Sequence, residues 1–202
     1  MSMRLICLDL EGVLIPEIWI EMSAAVGMPE LRRTTRDEPD YDKLMKFRID
    51  LLEKNNLKLA DIQRVINGMG LLDGALEFSN ALRARAQLVI LSDTFDQFAG
   101  PFMAKLAWPT IFCNTLEVAA DGTITGYKLR QRDGKRQAVQ AFKSMNMQVF
   151  AAGDSFNDLS MLKEADASCL FCAPQAIRDE YSDIPCVDTY DELLAEIDKF
   201  LK

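Results

Sequence analysis

Residues 5–14 read "LICLDLEGVL", an apolar run that ends in two carboxylates, Asp9 and Glu11, one leucine apart, with Gly12 behind them. Two other apolar runs end in the same manner. "QLVILSDTF" (87–95) sets Ser92 and Asp93 at the edge of a β-rich stretch, and "MQVFAAGDSFND" (147–158) sets Asp154 and Asp158 after another. Near-continuous apolar strands are typical of a parallel sheet buried on both faces. In such sheets ligands bind beyond the carboxyl ends of the strands, which is where these polar residues fall.

Outward from these runs, β-rich stretches lie near 3–9, 87–91, 109–113, 147–152, 167–172 and 185–188. Helical patterns lie near 74–85, 94–106, 134–145, 156–164, 174–180 and 190–201. The alternation predicts an α/β fold, a Rossmann-like doubly wound parallel sheet. Residues 114–130 carry two short β-patterns around Asp121-Gly122, which predicts a β-hairpin. Residues 16–72 hold several helical segments and no convincing strand. Because that stretch starts directly after the first strand, it predicts a small helical cap (16–72) inserted into a core made of 1–15 and 73–202. A lid in that place can exclude water or select a substrate. No internal repeat or low-complexity linker is present.

Composition narrows the chemistry. The 202 residues are 49% hydrophobic and 27% charged, ordinary for a globular domain. No apolar run approaches the ~20 residues that span a bilayer, and the first residues lack a signal-peptide layout. The cytoplasm is the expected compartment. A net charge of −8 argues against nucleic acid as a partner, since that binding rests on Lys and Arg neutralising phosphates. The five cysteines indicate no disulfide framework. Cys169 and Cys172 form a C-x-x-C, but "ASCLFCAP" reads as the inside of a buried strand, where free cysteine packs as a small hydrophobe. The chain has no histidine. Ser-His-Asp and Cys-His catalysis and His-ligated zinc are therefore excluded, and acid/base work falls to carboxylates, Lys, Tyr or Cys.

Taken singly, an Asp or Ser after a strand is often a helix N-cap, and a lysine early in a helix, such as Lys135 in "RDGKRQAV", is usually solvated. Taken together they fit one chemistry. Several carboxylates at neighbouring strand ends repel one another unless a hard cation sits among them, and Mg²⁺ prefers oxygen ligands. A hydroxyl, backbone N–H groups and a lysine beside that cation form a phosphate cradle. Of two adjacent carboxylates, one can attack while the other protonates a leaving group.

D-x-[DE]-G at the first strand, Ser at the second, Lys before a helix and then G-D-S-x-x-D resembles the haloacid dehalogenase superfamily of aspartyl-phosphate phosphatases. The resemblance runs the length of the chain, and the order of the four motifs is highly specific. "GDSFNDLSML" and "KFRIDLL" are similar to the phosphoserine phosphatases within it. "DLEGVLIPEIW", "TTRDEPDYDKLMK" and "LSDTF" are closer to the type that is both phosphoserine phosphatase and homoserine phosphotransferase. The resemblance implies that Asp9 is the nucleophile and becomes aspartyl-phosphate. It implies that Glu11 is the acid/base, with its carbonyl on Mg²⁺. It implies further that Ser92, the Asp93 amide and Lys135 hold the phosphoryl group, that Asp154 is a magnesium ligand, that Asn157 contacts substrate, and that Asp158 is an orienter behind them. The chain departs from the pattern twice. Most relatives have Asp where this chain has Glu11, and phosphoserine phosphatases usually follow the motif serine with glycines, where this chain has Asp93 and Thr94.

In "YDKLMKFRIDLL", Tyr41, Leu44, Met45, Arg48, Leu51 and Leu52 share one face at helical spacing. An arginine there either snorkels along the apolar face or reaches into the closed site and binds a carboxylate at two points. Glu17, at the start of the cap, can then meet an ammonium group. Carboxylate, ammonium and phosphate together describe a phospho-amino acid, and the resemblance favours Arg48 and Glu17 as its contacts.

The expected activity is Mg²⁺-dependent hydrolysis of O-phosphoserine, with water or homoserine as acceptor. One alternative is a phosphatase of the same fold for another small phosphomonoester. A second is a receiver-type signalling domain, which also uses Asp, Mg²⁺, Ser/Thr and Lys but needs no inserted cap. An ATP-dependent kinase is disfavoured because no G-x-x-x-x-G-K-[ST] loop is present.

Overall fold

A computed structural model describes residues 3–35, 37–38 and 40–202. The first strand, β1 (Met3–Leu8), is followed by a helical segment: α1 (Ile18–Val26), a 3₁₀ turn (Pro29–Arg32), α2 (Tyr41–Lys54) and α3 (Leu59–Gly68). Then come α4 (Ala75–Arg83), β2 (Gln87–Phe95), α5 (Asp96–Lys105), β3 (Thr110–Val118), β4 (Ile124–Lys128), α6 (Gly134–Ser144) and β5 (Met147–Gly153). A 3₁₀ turn (Phe156–Asp158), α7 (Leu159–Glu164), β6 (Ala167–Phe171), α8 (Gln175–Glu180), β7 (Cys186–Val187) and α9 (Tyr190–Phe200) complete the described chain.

The strands form one sheet in the order β4-β3-β2-β1-β5-β6-β7, parallel throughout except for the β3–β4 pair. From β1 the chain goes to β2 on one side and later returns to β5 on the other. The crevice beyond the carboxyl ends of β1 and β5 is therefore the topological switch point, the usual ligand site of such a sheet. Asp9 directly follows β1, and Asp154 directly follows β5.

Alternation along β1 feeds two cores, one on each face. Leu5 and Cys7 pack with Val139 and Phe142 of α6, Leu162 of α7 and Ile177 of α8. Ile6 and Leu8 pack with Phe78 of α4, Phe102 of α5 and Ile197 of α9. This second core runs on without a break into Trp19, Met22, Met45, Leu52, Ile62 and Ile66 of the helical segment. The segment is thus seated by apolar burial on the sheet's ligand end. The hairpin also grips it: Lys58 Nζ pairs with Asp121 at 2.8 Å, the Leu59 amide donates to the Gly122 carbonyl at 3.0 Å, and Tyr127 donates to Asp42.

Three expectations need correction. β2 does not stop near residue 91: after an irregularity its ladder with β3 resumes at Phe95–Asn114, so Ser92 and Asp93 sit within the strand and α5 begins only at Asp96. The strand expected near 109–113 and the first hairpin strand are one element, β3. The strand runs through Cys113 and Asn114 without a break, pairing with β2 along its first part and with β4 along its second. Cys172 is not inside a strand. It is exposed past the end of β6 in a left-handed conformation (φ 49°), while Cys169 is buried within β6.

Candidate active site

The loop after β1 is built to turn at once. The Asp9 amide donates to the Ala152 carbonyl of β5 at 2.9 Å, and the Leu14 and Ile15 amides return to the Leu10 carbonyl. Gly12 makes this possible, with φ of 76°. A Cβ at this position would also lie 2.5–2.7 Å from the carboxylate atoms of Asp154, so the first loop and Asp154 meet only because residue 12 has no side chain.

Asp9 is buried, and its Oδ1 accepts from the Leu10 amide at 2.7 Å and from Lys135 Nζ at 2.9 Å. Lys135, the second residue of α6, is only 4% exposed, and its Nζ also reaches Asp158 Oδ1 at 2.7 Å and Asp93 Oδ2 at 3.8 Å. A buried cation near a helix N-terminus opposes the helix dipole, so carboxylates must hold it there. Burial pulls the Lys135 ammonium down, but Asp158, Asp9 and Asp93 together outweigh it and keep it well above the ordinary lysine range.

Asp158 is fully buried and has committed both oxygens. Oδ1 binds Lys135, and Oδ2 accepts the amides of Asp154 and Ser155, each at 3.1 Å. It therefore shapes the loop that carries Asp154. Gly153 leaves room for it, since a Cβ there would lie 2.3–2.6 Å from Asp158 side-chain atoms.

Oxygens of Asp9, Asp154 and Asp158 lie within 4.8 Å of one another. Three buried carboxylates against one ammonium leave excess negative charge. Burial, then Asp158, with Asp154 adding to it, pushes the Asp9 carboxyl well above the usual range despite Lys135. An all-oxygen donor set with surplus negative charge fits a hard divalent cation such as Mg²⁺. With Asp158 committed to amides and Lys135, the residues that would hold the ion are Asp9 and Asp154.

A cavity of about 80 Å³ opens above these groups and is lined by residues of both the sheet and the helical segment. All ten residues singled out from the sequence converge here: nine line the cavity, and Asp158 lies beneath it against Asp154. Ser92 is buried, and its Oγ accepts from the Thr94 amide at 3.2 Å. Asn157 donates to Asp93 Oδ2 at 2.9 Å.

Glu11 faces the same space. Its Oε2 accepts the Ile18 amide, the first of α1, at 2.9 Å, which ties this side chain to the helical segment. Burial, then the charge of Glu17, raises its carboxyl to about 7, against the pull of the Ile18 amide, Arg48 and Lys135. Glu17 lines the cavity from the N-cap position of α1.

Arg48 does not snorkel. Its side chain is 6% exposed, with the guanidinium 4.4 Å from the centre of the Trp19 ring, one N–H donated to the Arg33 carbonyl at 2.8 Å, and Nε buried without a partner. Burial lowers it to about 10, opposed by Glu11, Tyr41 and Glu17, so it stays charged at neutral pH.

Two further residues were not found from sequence. Tyr41 donates its hydroxyl to the Asp93 carbonyl at 3.1 Å, and Asn114 Nδ2 donates to the same carbonyl at 3.1 Å. The one sequence signal for Asn114 is an amide residue inside a β-rich run, where Asn is depleted. Tyr41 gave only an apolar-face position.

The sequence profile of haloacid dehalogenase-like hydrolases matches residues 3–166. The chain is 52% identical to "Phosphoserine phosphatase ThrH" of Pseudomonas aeruginosa over 99% of its length and 96% of that protein. It is 51% identical to a phosphoserine phosphatase of Pseudomonas syringae pv. tomato, over 98% of its length and 84% of that protein. A crystal structure of phosphoserine phosphatase in its apo form superposes with a TM-score of 0.79 at 26% identity, covering all of both chains.

Proposed function

The chain belongs to the haloacid dehalogenase-like hydrolase family, and from that premise we propose that it is a magnesium-dependent phosphoserine phosphatase that can also pass the phosphoryl group to homoserine. The observation that carries the substrate is Arg48. Its buried guanidinium has no carboxylate partner among the described residues and shares a cavity with Asp9. A buried arginine with an open N–H, opposite Glu17, fits the carboxylate and ammonium of an amino acid. The similarity to the two Pseudomonas proteins, over 98% or more of this chain, supports phosphoserine as that amino acid's phosphate ester. In this reading residues 16–72 are a cap over a core of 1–15 and 73–202.

An Asp9 oxygen attacks phosphorus, the bond from phosphorus to the serine oxygen breaks, and Glu11 gives that oxygen a proton. A carboxyl with a value of about 7 still holds its proton near neutrality, which suits this role. In the second step water or the homoserine hydroxyl attacks phosphorus, its proton goes to Glu11, and the Asp9 carboxylate is released. Lys135, the Ser92 hydroxyl and the Asp93 amide hold the phosphoryl oxygens. Asp158 keeps Lys135 and the Asp154 loop in place, and Asn157 closes the phosphoryl side. Asp9, Asp154 and the Glu11 carbonyl would hold Mg²⁺, which supplies positive charge beside the phosphoryl oxygens.

The test is phosphate release from O-phosphoserine with Mg²⁺ and after chelation, with and without homoserine. Release that needs Mg²⁺, with phosphohomoserine formed when homoserine is present, is the expected result. Turnover of a sugar phosphate or nucleotide in preference to phosphoserine overturns the substrate.

A further inference from the structure

A second hollow of about 410 Å³ adjoins the active-site cavity on its outer side. It is bounded by Leu129 and Phe156, which are exposed, and by the N-terminus of α6. The two spaces share Thr35, Tyr41, Asp93, Lys135 and Asn157. The last four meet across the boundary, the other three on Asp93. Tyr41 of α2 donates to the Asp93 carbonyl at 3.1 Å, and Asn157 donates to the Asp93 carboxylate at 2.9 Å. Lys135 Nζ stands 3.8 Å from the same carboxylate, and Asn114 fixes the Asp93 carbonyl from β3. Four segments distant in sequence thus meet on one residue, and together they make a partition between inner cavity and outer hollow.

A glycine at position 93 could not make the two side-chain links. Asp93 is therefore where this chain spends a side chain on separating the two spaces. We propose that Tyr41, Asp93 and Asn157 form a water barrier that sets the acceptor preference of the enzyme, with Tyr41 as a specificity-determining residue. This rests on the aspartyl-phosphate reading above. Once the serine has left, the phosphorus on Asp9 can be attacked by either of two hydroxyl groups. In both cases a new bond from oxygen to phosphorus forms, the bond from phosphorus to Asp9 oxygen breaks, its electron pair returns to the carboxylate, and the attacking oxygen's proton goes to Glu11. Water is present at far higher concentration than any alcohol, so transfer to an alcohol competes only if water is kept from the inner cavity. The partition hinders water from the outer hollow while an amino-acid alcohol occupies the space beside Arg48 and Glu17.

The test substitution is Tyr41→Phe, which keeps the ring and removes the donor to Asp93. Enzyme labelled from an aryl phosphate is mixed with water alone or with homoserine, and the two fates of the phosphoenzyme are compared. A change in how fast it forms cancels in that ratio, and a partly unfolded sample lowers the amount but not the ratio. Loss of one hydrogen bond of ordinary strength shifts an open–closed equilibrium by roughly three- to tenfold. The phosphoenzyme should therefore decay in water about three- to tenfold faster in Tyr41→Phe, and the ratio of transfer to hydrolysis should fall by a similar factor. Decay and ratio both unchanged within about 1.5-fold overturn the proposal.

A readout without turnover separates failure of the barrier from failure of the activity. The chain has two tryptophans; Trp19 lines the inner cavity, and Trp108 is exposed. In a Trp108→Phe background, acrylamide quenching of Trp19 should rise at least twofold when Tyr41→Phe is added. Equal quenching in the two proteins refutes the barrier even if no phosphomonoester is turned over. Raised quenching in a protein that forms no phosphoenzyme upholds the barrier and removes the proposed activity instead.

Discussion

Replacing Arg48 by alanine separates substrate recognition from phosphoryl chemistry. The guanidinium is held by the Trp19 ring at 4.4 Å and the Arg33 carbonyl at 2.8 Å. Losing those contacts costs about 1 kcal/mol each, but the variant no longer buries a charge with an unpartnered Nε. The two effects oppose, so the melting temperature should move by only a few degrees. The effect on phosphoserine is larger. A substrate carboxylate left in this cavity without its cation costs about 3 kcal/mol or more, by analogy with broken buried ion pairs, which is roughly a factor of 100 in affinity. Steady-state kinetics on O-phosphoserine and p-nitrophenyl phosphate read this directly. KM for phosphoserine should rise about 100-fold, while kcat/KM for the aryl ester, which has no carboxylate, stays within about threefold. Arg48→Lys should restore little, because an ammonium cannot reproduce the planar two-point contact. If both substrates fall together, Arg48 supports the fold rather than the amino-acid group. If neither changes, the substrate carries no carboxylate at this point.

Glu11→Gln should accumulate phosphoenzyme from an aryl phosphate, seen as a burst of product near one per active site, because the attacking water must lose a proton whereas the leaving group needs none. Equal slowing of both steps contradicts this role. The wild-type carboxyl rises from 4.5 to about 7 on folding, so the folded state binds the extra proton and stability falls as pH rises between those values. That shift is worth ~3 kcal/mol at most. Metal-free Glu11→Gln should therefore melt higher than metal-free wild type at pH 8 and no higher at pH 4; the same difference at both values rejects the sign. Gly12→Ala forces a Cβ to 2.5–2.7 Å from the Asp154 carboxylate in a left-handed backbone. It should weaken Mg²⁺ activation at least tenfold and lose at least about 1–2 kcal/mol of stability from the left-handed backbone alone, and an unaltered Mg²⁺ titration would show that this approach does not matter.

Much of this arrangement is legible in the sequence because it is local. Asp9 and Asp154 each follow a short apolar run that reads as a buried strand, and parallel pairing brings those two strand ends together. The helical character of residues 16–72 shows in the same way, as apolar spacing within single helices. Relations across the sheet are not local. That Asn114 and Tyr41 meet on one carbonyl 21 and 52 residues away depends on the register of β3 and the seating of α2, neither of which has a sequence pattern of its own. The length of β2 was hidden for a related reason. Asp93 is a poor strand former and Ser92 before it a polar break in the apolar run, and the strand continues past them because pairing with β3 resumes at Phe95. Arg48 shows the limit most plainly: spacing put it on an apolar face, and only packing against Trp19 decides that its head turns inward.

The most direct measurement is of the covalent intermediate itself. Enzyme mixed with O-phosphoserine and Mg²⁺ is quenched in acid within milliseconds to seconds, digested, and analysed by mass spectrometry for a phosphoryl group on the peptide carrying Asp9. Wild type should carry it there and lose it at a rate that homoserine accelerates, while Asp9→Asn should carry none and retain less than a thousandth of the turnover. A label on another residue, or turnover in Asp9→Asn within tenfold of wild type, contradicts Asp9 as the nucleophile and with it the mechanism built on that residue.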